Sequence, residues 1–386
     1  VNSELLTGIA ELTTHDGPTP EESTRLADAA LVVEDGRIAW VGPAAAAPAA
    51  DTRTDLGGRA VLPGWVDSHT HLVFAGDRSA EFAARLAGRP YAAGGIATTV
   101  AATRAASDDQ LRVAARRLRA EARAGGTTTL ETKTGYGLDV ASEARLARIG
   151  REVADSVTYL GAHLPPDGID RRDYLDLVTG AMLAAVLPFV EAIDVFCETG
   201  AFTVDESREV LLAGRSAGLR LRLHGNQLGE SGGVALAAEL GAASVDHVNH
   251  VSASDIDALA GAAVTAVLLP AADLSTRQPL APARRLADAG VPLAIASNCN
   301  PGSSFTTSMA FCVATAVLQQ RLTVAEALWA ATRGGAAVLG RDTGPDAVGA
   351  IRVGGPAHLH VLDAPSAVHL AYRPGVPLTA RVIAGL

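Results

Sequence analysis

Apolar and polar positions alternate in three distinct ways along the chain. The first sixty residues hold short stretches with strand-like period, Leu5–Leu12, Ala30–Val33 and Arg37–Val41, and the Asp35-Gly36 pair predicts a tight hairpin between the last two. The last thirty-odd residues look alike, with strands expected at Gly349–Val353, His358–Asp363 and Ala380–Ile383. Pro43–Ala50 is alanine-rich but broken by proline, and reads as loop. Between these ends, compact apolar runs alternate with alanine-, leucine- and arginine-rich stretches of helical character.

The runs in that middle part are Val61–Val66, Thr127–Leu130, Val157–Leu160, Ile193–Phe196, Leu219–Leu223, Ala243–Val245, Ala266–Leu269 and Pro292–Ala296. Helices are expected at Asp108–Ala124, Val140–Ala154, Val204–Ala217 and Ser252–Ala260, among others. Strand then helix, eight times over roughly 250 residues, is the layout of a (β/α)8 TIM barrel. An open doubly wound sheet fits less well, because no Gly-x-Gly-x-x-Gly follows the first run. The expected fold is therefore α/β: a barrel over residues 61–349 and a small β-sandwich domain built from both chain ends, 1–60 plus 350–386.

In such a barrel the chemistry sits at the C-terminal ends of the strands. Just past the runs stand His69-Thr70-His71, Glu131-Thr132-Lys133, His163, Glu198, His224, His247 and Asn298. Alternate residues of a strand face the same side, so His69 and His71 can converge on one cation. His224, arriving from across the barrel, completes a three-nitrogen site with a position left open for water. Any one His-x-His is more often chance; its combination with three further strand-end histidines is not.

Composition narrows the partners. A net charge of −10 and a large apolar fraction (48%) argue for a sizeable core and against nucleic acid or an anionic membrane. No run of 18 apolar residues and no basic-then-apolar leader is present, so a cytoplasmic protein is expected. Cys197, Cys299 and Cys312 lack Cys-x-x-Cys spacing, which speaks against a disulfide framework or a zinc-thiolate site. Lys133 is the one lysine among 32 basic residues, so it is not background filler.

The segment Pro63-Gly-Trp-Val-Asp-Ser-His-Thr-His71 resembles the opening signature of the amidohydrolase superfamily. Within it the chain is similar, almost end to end, to the imidazolonepropionase family. The matching stretches include His71-Leu-Val-Phe-Ala-Gly-Asp-Arg78, Thr132-Lys-Thr-Gly-Tyr-Gly-Leu138, Leu160-Gly-Ala-His163, Asp194-Val-Phe-Cys-Glu198 and Asn300-Pro-Gly-Ser303. The resemblance implies a hydrolase of histidine degradation that opens the ring of 4-imidazolone-5-propionate to give N-formimino-L-glutamate, working as a homodimer. It implies one zinc or iron ion on His69, His71 and His224, with position 298 as the remaining ligand. A second metal is not expected, because strand four ends in Cys197-Glu198 where binuclear relatives carry a modified lysine. By the same resemblance His247 orients the water and the ring carbonyl. Arg78, Tyr91, Tyr136 and His163 match the substrate contacts, and Asn300, Gly302 and Ser303 match the loop near the propionate.

Two positions depart from the family pattern. Gln227 stands where glutamate is common, and Asn298 stands where the family has its catalytic aspartate. An asparagine carbonyl can touch a metal, but it carries no charge and is not a base. Three readings of Asn298 follow: an inactivated hydrolase, a hydrolase with another base such as His163 or His247, or a paralogue with shifted chemistry. The last would act on an imidazolone-like heterocycle without hydrolysis, or bind an imidazolone carboxylate without turnover.

Overall fold

The computed structural model describes residues 3–88 and 95–384. Fourteen strands occur among them. Six form one mixed sheet: β1 (Ser3–Thr13), β2 (Arg25–Glu34), β3 (Arg37–Pro43), β4 (Thr52–Pro63), β13 (Leu359–Leu362) and β14 (Thr379–Ile383), in the order β14-β13-β4-β1-β2-β3. Both chain ends thus build one sheet, as expected. The β2–β3 hairpin closes with Glu34 opposite Arg37. Asp35 and Gly36 between them take φ of 47° and 76°, the left-handed pair that a two-residue hairpin turn requires. Alternation puts Leu6, Leu12, Leu31, Ile38, Val61 and Leu359 in one apolar cluster, and Leu5, Ala30 and Val32 in another.

The other eight strands form a parallel sheet in sequential order: β5 (Trp65–Asp67), β6 (Thr127–Lys133), β7 (Ser156–Ala162), β8 (Ala192–Cys197), β9 (Arg220–Gly225), β10 (Ser244–His247), β11 (Thr265–Leu268) and β12 (Leu293–Ile295). All residues of β7 and β8 are buried, as expected for strands covered on both faces. The ring closes just beyond β5 and β12. Asn298 N–H donates to His69 O at 2.9 Å, and His71 N–H donates to Cys299 O at 2.9 Å. The helices between strands include Asp108–Ala124, Val140–Val153, Val204–Ser216 and Ala253–Ala262. Thr203 with Glu206 and Ser252 with Asp255 start two of them as capping boxes, each satisfying two otherwise orphaned backbone donors.

Three expectations need correction. The run Val61–Val66 is split: Val61–Pro63 ends β4 in the six-stranded sheet, and the barrel strand is Trp65–Asp67. Gly349–Val353 forms no strand, its apolar character going instead to buried Ala350 and Ile351. Part of Pro43–Ala50 forms a short 3-10 turn, Ala44–Ala46.

Two compact units divide the chain. One comprises Val1–Ser68, Glu121–Thr129 and Ser308–Leu386; the other comprises His69–Ala120 and Leu130–Thr307. Every described residue of the candidate site lies in the second. Among the described residues no helix is long and apolar enough to cross a membrane.

Candidate active site

His69 and His71 follow β5, His224 lies near the end of β9, and His247 ends β10. Their imidazoles meet. Ring centroids are 4.6 Å apart for His69 and His224, 5.3 Å for His69 and His71, and 5.8 Å for His71 and His224. One ring nitrogen from each of the three lies within 4.8 Å of the others. His247 packs against two of them, at 6.1 Å from His69 and 5.5 Å from His224.

Two of these rings are oriented from behind by carboxylates. His69 Nδ1 lies 2.5 Å from Asp246 Oδ2, and His224 Nδ1 lies 2.9 Å from Asp194 Oδ1. A carboxylate only accepts here, so each Nδ1 carries the hydrogen and each Nε2 is left with a bare lone pair. His69 Nε2 is buried and has no hydrogen-bond partner among the described residues. Burial holds His69 and His71 well below the usual imidazole range. Three buried imidazoles, with orphaned buried nitrogens on His69 (Nε2) and His71 (Nδ1), form a donor set that fits a divalent zinc or iron ion.

His163 and Tyr136 form one wall. The His163 ring stacks on His71 at 5.7 Å and 19°, and Tyr136 lies 5.5 Å from His163. Burial lowers His163 to about 4 and His247 to about 3, so both are neutral near pH 7. The Nδ1–H of His163 donates to Gly135 O at 2.9 Å, which leaves Nε2 as an acceptor toward the cavity. The loop carrying Tyr136 is held by Glu143, whose buried carboxylate accepts N–H bonds from Gly135, Gly137 (2.7 Å) and Leu138 (2.9 Å). His247 takes φ of 85°, a strained conformation for a side-chain-bearing residue that costs ~1–3 kcal/mol.

Opposite stands Arg78. Its Nε and Nη2 form a fork on Glu81 at 2.8 and 2.7 Å. Gly302 leaves it room, since a Cβ there would sit 2.2 Å from Arg78 Nη1. Asn300 organises this loop: its Oδ1 accepts from Gly302 and Ser303 N–H at 2.8 Å, and its Nδ2 donates to Ser303 Oγ at 2.9 Å. Asn300 Nδ2 also donates to Asn298 Oδ1 at 3.1 Å. Gln227 is placed by its backbone, whose N–H donates to Glu198 Oε2 at 2.8 Å.

One cavity joins His71, Arg78, Tyr136, His163, His224, Gln227, His247, Asn298, Asn300 and Ser303. The residues singled out in the sequence are therefore brought together, with Gly302 against Arg78 and His69 behind His71. Tyr91 lies outside the described residues. Cys197 is buried, and burial pushes its thiol up, which suits packing rather than metal ligation. Sequence reading missed the supporting carboxylates Asp194, Asp246 and Glu143. The available signal was Ser244 two residues before Asp246 in β10, and the lone acid Asp194 inside the apolar strand β8.

Comparison with known proteins gives the same answer. Residues 60–382 match the amidohydrolase family. Imidazolonepropionase of Saccharopolyspora erythraea is 64% identical over 382 residues, covering 99% of this chain and 97% of the relative. Imidazolonepropionase of an Arthrobacter species is 62% identical over 396 residues, covering 98% of each. Among solved structures, a triazine hydrolase variant superposes with a TM-score of 0.75 at 20% identity, covering 99% of this chain and 93% of that one. An adenosine deaminase from Xanthomonas campestris with bound zinc gives 0.73 at 20% identity, covering 100% and 92%. These two speak to the barrel alone, whereas the near relatives and the family match go further: the chain belongs to the amidohydrolase family and, within it, to the imidazolonepropionases.

Proposed function

We propose that the chain hydrolyses 4-imidazolone-5-propionate to N-formimino-L-glutamate, a step of histidine degradation. Water adds to the ring carbonyl, the ring C–N bond opens, and the products are a carboxylate and a formimino group. The observation that carries this reading is the buried cluster of His69, His71 and His224, two of which line one cavity with Arg78. His69, His71 and His224 would hold one zinc or iron ion, with Asn298 as the remaining donor. Such an ion supplies a Lewis acid that makes water nucleophilic near neutral pH.

The chain's own groups do the rest. Arg78 brings its guanidinium to the propionate carboxylate, with Gly302 and Ser303 lining the approach. Nε2 of His163 accepts from a ring N–H, and Tyr136 packs beside it. His247 faces the reacting carbonyl as a neutral ring and hands a proton to or from the departing nitrogen. The low values of His163 and His247, about 4 and 3, make both weak bases at pH 7. Neither carries the charge of an aspartate at position 298, and without it turnover by this chain is slow. The same reading makes the protein a cytoplasmic homodimer, on family likeness alone.

The test is direct. Purified protein, its metal content measured, is incubated with 4-imidazolone-5-propionate, and formiminoglutamate is followed by chromatography. Slow, zinc- or iron-dependent product formation is expected. Tight binding of the substrate without any product, from a protein holding no metal, would favour the ligand-binding alternative that Asn298 motivates.

A further inference from the structure

Beneath the histidines lies a chain of buried charges that the proposed reaction does not use. Lys133 Nζ is 2.9 Å from Asp194 Oδ2 and 3.1 Å from Glu131 Oε1. The same Glu131 oxygen accepts from Arg222 Nη1 at 3.0 Å, and Arg222 Nη2 donates to Asp246 Oδ2 at 2.9 Å. The aspartates at the two ends are those that orient His224 and His69. Hydrogen bonds, with one ion pair between Lys133 and Asp194, therefore connect His224, Asp194, Lys133, Glu131, Arg222, Asp246 and His69. Glu131 also grips the strand between the two remaining ligand candidates, because Thr70 N–H donates to its Oε2 at 3.0 Å. Side chains of Glu131, Lys133, Asp194 and Asp246 have no exposure, and that of Arg222 has 1%.

Buried ions left unpaired are costly, so removing one member destabilises its neighbours' positions rather than only its own. Burial opposes ionisation of Asp194, yet His224 and Lys133 beside it hold its carboxyl below the usual range. Burial likewise opposes ionisation of Asp246, and Arg222 and Lys133 overcome it.

We propose that Lys133 is a positioning residue for the metal site: through Asp194 it fixes the orientation and Nδ1–H tautomer of His224, and through Glu131 and Arg222 it braces Asp246 and His69. The inference rests on the reading of His69, His71 and His224 as ligands. It differs in sign from the simple electrostatic expectation. As a bare positive charge Lys133 repels a cation, and deleting it would tighten binding. As a positioning residue its deletion loosens binding, because an unbraced carboxylate no longer holds the imidazole.

The experiment measures zinc affinity by chelator competition for the parent, Lys133→Met, Asp194→Asn and the double variant, with circular dichroism and thermal unfolding of the metal-free forms as a check on folding. Parent protein binding zinc is the condition set by the functional reading; its failure would sink that reading and not this one alone. Given parent binding, Lys133→Met is expected to bind zinc ~10–100-fold more weakly, the usual cost of losing an outer partner of a ligand. In the Asp194→Asn background the same change is expected to cost markedly less, since the route to His224 is already cut. Unchanged or tighter zinc binding by folded Lys133→Met overturns the proposal, and so do fully additive effects. Should Lys133→Met not fold, the same cycle with Lys133→Leu, which also lacks a donor, decides by the same outcomes.

Discussion

Replacing Asn298 with aspartate should turn a slow enzyme into a fast one. The residue is 2% exposed, and its Oδ1 accepts from Asn300 Nδ2 at 3.1 Å. A carboxylate keeps that bond and makes it charge-assisted, while its second oxygen replaces an NH2 that could not accept a proton. Burial keeps His163 and His247 neutral at pH 7, and neither brings the negative charge that a carboxylate at position 298 would set beside the three imidazoles. A positioned base contributes ~10²–10⁴-fold, so Asn298→Asp is expected to raise kcat by that range, or ~3–5 kcal/mol off the barrier. There is a counterpart in stability. The frame below the site pairs three carboxylates, Glu131, Asp194 and Asp246, with two cations, Lys133 and Arg222. Its formal charge is one negative, and a carboxylate at 298 makes it two. Without metal the variant should therefore lose on the order of 3 kcal/mol, the scale of an uncompensated buried charge; zinc should restore it. The assay is formiminoglutamate production under saturating zinc, with thermal unfolding in chelator and in zinc. A variant no faster than its parent, or destabilised equally in both media, refutes the reasoning.

Other expectations follow from the same geometry. Gly302→Ala drives a methyl into Arg78 Nη1, so KM should rise ~10–100-fold, the worth of a charged hydrogen bond, with kcat little changed; an unaltered KM would show that Arg78 does not meet the carboxylate. Glu143→Gln weakens the grip on Gly135, Gly137 and Leu138 and should raise KM through the misplaced Tyr136 loop, as read in steady-state kinetics on the Asn298→Asp background. His15 and His360 are buried and lowered from 6.5 to about 3. The unfolded chain binds their protons first, so stability is full above pH ~6.5 and falls as pH drops toward 3, each contributing a slope of up to ~1.4 kcal/mol per pH unit. Urea unfolding at pH 7, 6 and 5 measures it, and His360→Gln should flatten the slope; a flat profile in the parent counts against burial of neutral rings.

What was legible in the sequence follows a physical rule. Polar residues just past apolar runs stood out against their surroundings, so the histidines and Asn298 were found. Of the charged frame only Glu131 and Lys133 stood out past a run; Asp194, Arg222 and Asp246 sit inside strands, among apolar neighbours that make the run read as core. Yet Glu131 and Lys133, Arg222 and His224, and Ser244 and Asp246 are each two apart, the spacing that faces one side of a strand. Strand Thr52–Pro63 was missed for the opposite reason. Its first half carries Arg53, Asp55, Gly57 and Gly58, several of them exposed, and only pairing with β1 makes it a strand. Gly349–Val353 had strand-like composition, but its Ile351 N–H donates to Thr14 O without a ladder forming around it.

The barrel closure bears on how position 298 can change over generations. Its backbone does the architectural work, with N–H bonded to His69 O and φ at 52°. That left-handed conformation admits few residue types besides glycine, asparagine and aspartate. Selection for a closed barrel thus filters the candidates to a short list in which the neighbour of aspartate is asparagine, a near-isostere without its charge. A lineage can cross between the two while every strand, helix and imidazole stays where it was. Kinship read from the remainder of the chain would then remain high on both sides of the crossing, and only this side chain would record which side a given protein is on.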